Sequence, residues 1–216
     1  MTEKDNKEAS KATVLRLPIY LRYLKRIQKE GVSVISSTRL ATDISLNPVQ
    51  VRKDLSSISS GAGKPKVGFK VQELIFEISN FLGYDNTNDA VLVGVGRLGT
   101  TLLNYSGFNN YGLNIIAGFD TNSEVIGKTI ANKPVYDISE LPSIVKKHSI
   151  KMGIITVPKE NAQKICNLMI NSGIVAIWTF SHIHLKIPDN VVIKYEDMGA
   201  SLALLSNQLR TLLSKK

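Results

Sequence analysis

Ala90-Val91-Leu92-Val93-Gly94-Val95-Gly96-Arg97-Leu98-Gly99 is an apolar run of strand length that breaks into a glycine-x-glycine-x-x-glycine turn. Three glycines alone say little. Here a helical stretch follows from Leu98 to Leu103, and a second apolar strand, Leu113 to Phe119, ends in Asp120, 21 residues beyond Gly99. Strand, glycine turn, helix, strand and acid in that order form a dinucleotide-binding fingerprint. The glycines let backbone N–H groups approach a pyrophosphate at a helix N-terminus, where the peptide dipoles favour an anion. Asp120 is placed to accept from the hydroxyls of an adenosine ribose and to repel a 2′-phosphate, which favours NAD(H) over NADP(H). Arg97, inside the loop, pulls the other way by offering charge to an extra phosphate.

Reading toward the C-terminus, the alternation continues. A helix is expected from Ser139 to His148, then the strand Met152 to Val157 stopped by Pro158. A helix from about Asn161 to Ser172 and strands at Ile174–Phe180 and Val191–Tyr195 complete the set. Such repeats build an α/β fold with a doubly wound parallel sheet of Rossmann type. Ligands bind at the carboxyl ends of its strands, which would gather Gly94, Gly96, Arg97, Leu98, Gly99, Asp120, Thr156, Val157 and Pro158 around one crevice. Only about 20 residues follow Tyr195. They are too few for the substrate domain that a nicotinamide dehydrogenase normally needs, so the expectation is a sensor and not an enzyme. An NAD(H)-dependent oxidoreductase remains the alternative, although no catalytic residue can be nominated for it. The last segment, about 197–214, carries Leu202, Leu204, Leu205, Leu209, Leu212 and Leu213. That stripe must cap its own sheet or pack on another chain, and the second is the expectation.

Reading toward the N-terminus, Leu17, Leu21, Leu24 and Ile27 recur at helical spacing, so 12–30 reads as an amphipathic helix that Pro18 should kink or restart. Ser36 and Ser37 can cap a short helix carrying Leu40, Ala41 and Ile44. Asn47 before Pro48 pairs a preferred cap with a proline at the first helical position, opening a third helix through Leu55. Two short helices across a tight turn suggest helix-turn-helix. Its second helix would lie in the major groove, with Asn47, Gln50, Arg52 and Lys53 as candidate DNA contacts. The glycine- and serine-rich stretch Ser59–Phe69 then looks like a wing, its lysines Lys64 and Lys66 aimed at the DNA backbone or minor groove. An amphipathic helix from Val71 to Leu82 belongs to the same domain, and Asp85-Asn86-Thr87-Asn88 marks a boundary. The expected division is residues 1–84, a winged-helix DNA-binding domain, and 85–216, a nucleotide-binding and dimerisation domain.

Charge agrees. The chain carries a formal +9, and residues 11–70 hold twelve Lys and Arg against three acids, so the whole excess lies there. Located basicity of that kind points to nucleic acid. No apolar run reaches the ~18–20 residues of a membrane span, and the polar first residues show no secretory or transit segment, which favours the cytoplasm. Cys166 is the single cysteine and sits among apolar residues, as a packed thiol would. His182 and His184 share one side of an extended segment, but two ligands do not make a metal site, and none is expected.

Together these stretches resemble the Rex family of redox-sensing transcriptional repressors from Lys11 to Leu213. The resemblance rests on Lys11-Ala12-Thr13, Arg16-Leu17-Pro18, Val51-Arg52-Lys53-Asp54-Leu55-Ser56 and Val67-Gly68-Phe69. It continues through Val93-Gly94-Val95-Gly96, Leu103-Asn104-Tyr105-Ser106-Gly107-Phe108, Phe119-Asp120 and Val157-Pro158. It implies a homodimer with a swapped C-terminal helix, bound to a palindromic double-stranded operator and released when NADH, but not NAD⁺, fills the crevice. It also implies that Tyr105 lies at the nicotinamide end, and that Arg16, Tyr105 and Asp197 form a coupling network. The sequence departs from the family at Ser57 (usually aromatic), in the Gly-Lys-Pro-Lys wing, at Arg97 (commonly Asn), at His182 (usually Pro) and at Ser201 (often Glu). A divergent regulator answering to NADP(H) or a coenzyme A derivative is therefore a second alternative.

Overall fold

The computed structural model of the chain describes residues 9–58, 68–84 and 88–214. They fall into two compact units, Met1–Asn86 and Thr87–Lys216.

In the first unit, α1 (Lys11–Lys29) starts where the Ser10 hydroxyl accepts from the Thr13 N–H. The helix runs through Pro18 and does not restart there. Proline removes one donor, and the carbonyl it would have served belongs to Val14, on the exposed face where solvent can satisfy it. After β1 (Val34–Ile35), α2 (Ser37–Asp43) is capped by Ser36, whose Oγ accepts from the Arg39 N–H at 3.1 Å. Ser45 takes the left-handed conformation (φ 57°) that turns the chain into α3 (Pro48–Ile58). Antiparallel pairing of β1 with β2 (Phe69–Lys70) leads into α4 (Val71–Phe81). One apolar core, including Leu17, Leu24, Leu40, Val51, Leu55, Leu74 and Ile78, joins the four helices. Lys64 and Lys66, expected at the wing tip, lie outside the described residues.

The second unit opens with β3 (Asn88–Val93), α5 (Arg97–Asn104), a 3₁₀ turn over Ser106–Tyr111 and β4 (Leu113–Asp120). It continues through β5 (Thr129–Ile130), β6 (Lys133–Asp137), α6 (Leu141–Lys147), β7 (Met152–Ile155) and α7 (Lys159–Asn171). β8 (Ala176–Thr179), β9 (Val192–Tyr195) and α8 (Met198–Leu213) close it. The sheet order is β5-β6-β4-β3-β7-β8-β9, with every pairing parallel except β5 against β6. Leaving aside β5, chain order reverses at β3, so the sheet has the Rossmann switch point between β3 and β7.

Each face buries its own cluster. Val91, Val93, Phe119, Ile155 and Met169 fill one, while Leu92, Leu103, Ile115 and Ile154 fill the other. Ile115 leaves the face of Ala117 and Phe119 because the β3–β4 register slips between Ala90 and Val91. A one-residue irregularity reverses the facing of everything before it. The β5–β6 hairpin was not foreseen: only Val135 among its residues is buried, so no alternation announces it. β7 ends at Ile155, two residues short of the expected Val157, although the Thr156 N–H still donates to the Val93 carbonyl. No residue of α8 is buried; Leu202, Leu204, Leu205, Leu209, Leu212 and Leu213 all remain exposed, so the helix does not cap its own sheet.

Candidate nucleotide crevice and DNA-reading face

The crevice grows out of three glycines with different duties. Gly94 takes φ +104°, and a side chain there would meet the Thr156 carbonyl carbon at 2.8 Å. Thr156 locks that approach by donating its hydroxyl to the Gly94 carbonyl at 2.7 Å. A side chain on Gly99 would collide with the Gly94 carbonyl oxygen, so α5 can press on the end of β3 only with glycine there. Gly96 is different: it caps α5, and nothing lies within 4 Å of where its Cβ would be. The first and last glycines let the turn close; the middle one leaves room for something else.

Asp120, at the end of β4, ties this turn to the next loop. Its Oδ2 accepts from the Val95 N–H at 2.6 Å, and its Oδ1 from Thr121 and Asn122 N–H at 2.7 and 2.9 Å. An ionised carboxylate has about four acceptor sites, so three backbone donors leave capacity for a hydroxyl.

A cavity of about 650 Å³ opens at this switch point. Gly94, Gly96, Asp120, Thr156, Val157 and Pro158 line it, as the sequence led us to expect. Exposed Arg97 and Leu98 and buried Gly99 support the loop without lining the cavity. Sequence reasoning missed Thr121, Ser139, Asn161 and Lys164, which also line it. The available signal was their position just after β4, β6 and β7, where an α/β sheet presents its ligand. Size, the open space over Gly96 and the helix N-terminus behind it fit a dinucleotide.

Tyr105 is not among the lining residues. It belongs to a second cavity, of about 480 Å³, with Phe108, Asn109 and Lys133. Burial lowers the pKa of Lys133, whose ammonium donates to the Leu103 carbonyl. The Tyr105 ring meets Phe108 edge-on at 4.8 Å and overhangs Gly107, where any side chain would strike it. Phe108, Trp178 and Phe180 continue the row at 5.6 and 4.9 Å, and the Trp178 indole N–H donates to Glu196 at 3.2 Å. The next residue, Asp197, caps α8 by accepting from the Ala200 N–H at 3.1 Å.

In the first unit, α3 has two clean faces. Val51, Asp54 and Leu55 are buried, whereas Val49, Arg52, Lys53 and Ser56 are exposed. Asn47 holds the helix start, its Oδ1 accepting from Val49 and Gln50 N–H at 2.8 and 3.3 Å. That side-chain oxygen serves as the helix cap.

Asp54, 1% exposed, is a hub that no local motif indicated. It takes the Arg16 guanidinium two-pronged, Nε to Oδ2 at 2.7 Å and Nη2 to Oδ1 at 2.8 Å. It also accepts from Tyr20 at 2.6 Å, Thr13 at 3.1 Å and the Gln50 amide at 2.8 Å. Burial alone would raise its pKa; the hydrogen bonds from Arg16, Tyr20, Gln50 and Thr13 outweigh that and hold it at about 2. The hydrogen bond to Asp54 in turn raises the pKa of Arg16. Burial, with the hydrogen bond to Asp54, raises that of Tyr20. Gln50 turns its amide to this hub, and the outward cations of α3 are Arg52 and Lys53. Arg16, expected in a network with Tyr105 and Asp197, is here engaged by Asp54. The His184 ring stacks on Tyr195 at 5.7 Å, and no group of three or more potential metal ligands occurs among the described residues. Among them, too, no helix is long and apolar enough to cross a membrane.

Comparison with known proteins bears on both units. A family profile described as "CoA binding domain" matches residues 85–183, and one described as "Putative DNA-binding protein N-terminus" matches residues 8–56. A relative from Treponema denticola, named as the redox-sensing transcriptional repressor Rex, is 40% identical over 92% of this chain and 94% of its own. A Rex repressor from Bacteroides fragilis is 34% identical over 95% of this chain and 93% of its own. Among solved structures, RSP in complex with β-NAD⁺ and operator DNA superposes with a TM-score of 0.87 at 34% identity, over 95% of each chain. RSP in complex with β-NADH gives 0.85 at 33% identity, over 97% of this chain and 99% of that one. With such identities spanning nearly the whole of both chains, the protein belongs to the Rex family of redox-sensing transcriptional repressors.

Proposed function

We propose that this chain represses transcription by holding operator DNA through α3 and lets go when NADH fills the crevice of its second unit. The observation that carries the reading is the division of labour among the glycines: Gly94 and Gly99 close the turn, and Gly96 stays open above the α5 N-terminus. In this reading residues 1–84 are the winged-helix DNA-binding domain and 85–216 the NAD(H)-binding and dimerisation domain of a cytoplasmic protein. The relatives are named as repressors, and the chain is a regulator, not an enzyme.

The Gly96 backbone and the first turn of α5 would take the pyrophosphate, with Arg97 at the loop rim adding charge. Asp120 would accept from the adenosine ribose and disfavour a 2′-phosphate. Thr156, Val157 and Pro158 would border the nicotinamide end. The reduced ring carries no charge and the oxidised ring one, so the two forms can favour different arrangements of the same residues. Arg52 and Lys53 would contact bases and phosphates, with Lys64 and Lys66 on the wing. The exposed leucines of α8 would pack on a second copy, building the homodimer that matches a palindromic operator. Arg16, Tyr105 and Asp197 would couple the sites, with Asp54 competing for Arg16.

The test is a DNA-shift titration of the full chain on its operator with NADH, NAD⁺ and NADPH. Release by NADH well below the concentration needed for either other nucleotide supports the reading. Equal retention with saturating NADH removes it, and tighter binding of NADPH than NADH refutes the role given to Asp120. Tyr105→Phe and Asp197→Ala should keep DNA binding and blunt release; an unchanged response in both removes the coupling network.

A further inference from the structure

The exposed face of α3 is polar except at one position. Val49 is 74% exposed, in the first turn, with Arg52, Lys53 and Ser56 following on the same face. Folding gains nothing from it: a β-branched side chain lowers helix propensity, and its methyl groups bury no core surface. What it offers is a stiff, preorganised apolar knob, because one χ1 rotamer dominates for valine in a helix. The Asn47 cap fixes the turn that carries it, and the Asp54 hub on the opposite face fixes the helix.

We infer that Val49 is a specificity-determining contact that reads the C5-methyl group of a thymine. The inference rests on α3 being the groove-reading helix. In the major groove each base edge presents donors and acceptors, and the one apolar group is the thymine methyl. A rigid isopropyl group flanked by two cations therefore has a single complementary partner there. Arg52 and Lys53 hold the helix against phosphates or guanine edges, and Val49 selects at the base step nearest the helix start. Val49 adds no charge, so its contribution does not depend on salt.

The experiment uses the full chain and the duplex it selects from random sequence, with each thymine replaced in turn by deoxyuridine, which lacks only the methyl group. One methyl-sized contact corresponds to about a fourfold change in affinity. Wild type should lose about fourfold at one thymine per half-site and almost nothing at the others. Val49→Ala should lose about fourfold on the thymine duplex and nothing further when that thymine becomes uracil. Two results would overturn the assignment: uniform tolerance of uracil by wild type, or additive losses from Val49→Ala and uracil, which would place Val49 against something other than that methyl. Arg52→Ala separates the two levels. If it binds DNA like wild type, the reading of α3 fails and this inference with it; if it weakens binding while Val49→Ala is insensitive to every thymine, only the role of Val49 fails.

Discussion

The nucleotide crevice is built from backbone, the DNA-reading face from side chains. At the crevice the deciding features are a missing Cβ, an open N–H row and a carboxylate that bonds three backbone donors. On α3 they are a buried carboxylate, with a two-pronged guanidinium and a phenol brought from α1, 38 and 34 residues away in the chain. A backbone site tolerates changes in the side chains around it but not an added carbon at the wrong glycine. A side-chain site fails when one member leaves a buried charge unmatched.

Asp54→Ala should therefore have the largest effect. Breaking a buried ion pair from one side costs about 3–5 kcal/mol, here with three further donors left unpaired. The loss should stay in the first unit. Trp178, the chain's single tryptophan, lies in the second, so its fluorescence transition should barely move, while amide exchange at α1 and α3 accelerates and DNA binding disappears. A shared shift of both transitions would mean that the units do not unfold separately.

The glycines test the other half of the contrast. Gly99→Ala drives a methyl group into the Gly94 carbonyl and should cost the second unit about 2 kcal/mol or more along with nucleotide binding. Gly96→Ala meets only open space, so stability should hold within about 0.5 kcal/mol while NADH affinity falls about tenfold as the methyl intrudes on the ligand. Equal stability losses in calorimetry would show that Gly96 is as structural as its neighbours.

Acid tests the side-chain site directly. The folded pKa of Asp54, about 2, lies below its ordinary 3.8. A depressed carboxylate stabilises fully above its unfolded pKa, and that contribution fades as pH falls from about 4 through 2. It amounts to about 2 kcal/mol. Melting of the first unit should steepen in that window, and Asp54→Asn should flatten it.

The contrast also explains what could be read from the chain. Val93-Gly94-Val95-Gly96, the helix behind it and Asp120 were legible because glycine spacing and an apolar strand are local features. Asn47-Pro48 was legible as a helix start for the same reason. Asp54 stood in plain view inside Arg52-Lys53-Asp54-Leu55, yet its partners come from another helix, and charge spacing along one helix does not reveal a pair across two. Gln50 stands i to i+4 from Asp54 on the same helix, but the direction of its amide depends on the hub that Arg16 and Tyr20 complete from α1. Tyr105 was assigned to the crevice by resemblance, whereas its ring lies over Gly107 at a different cavity. The β5–β6 hairpin escaped because strands of two and five half-polar residues carry no usable period.

The smallest expected effects separate the two exposed cations of α3. If Arg52 holds a base edge in a two-pronged contact, Arg52→Ala should weaken operator binding by about five- to 150-fold and relax preference at one position, since such pairs contribute about 1–3 kcal/mol. If Lys53 meets only phosphate, Lys53→Ala should weaken operator and unrelated DNA alike and reduce the slope of log affinity against log salt by about 1. Nucleotide affinity should change in neither variant, because both side chains belong to the first unit and the crevice to the second. The two cations occupy adjacent positions on one helical face, so a helix seated deep in the groove could present either to a base. An unchanged salt slope with lost sequence preference in Lys53→Ala would exchange their roles.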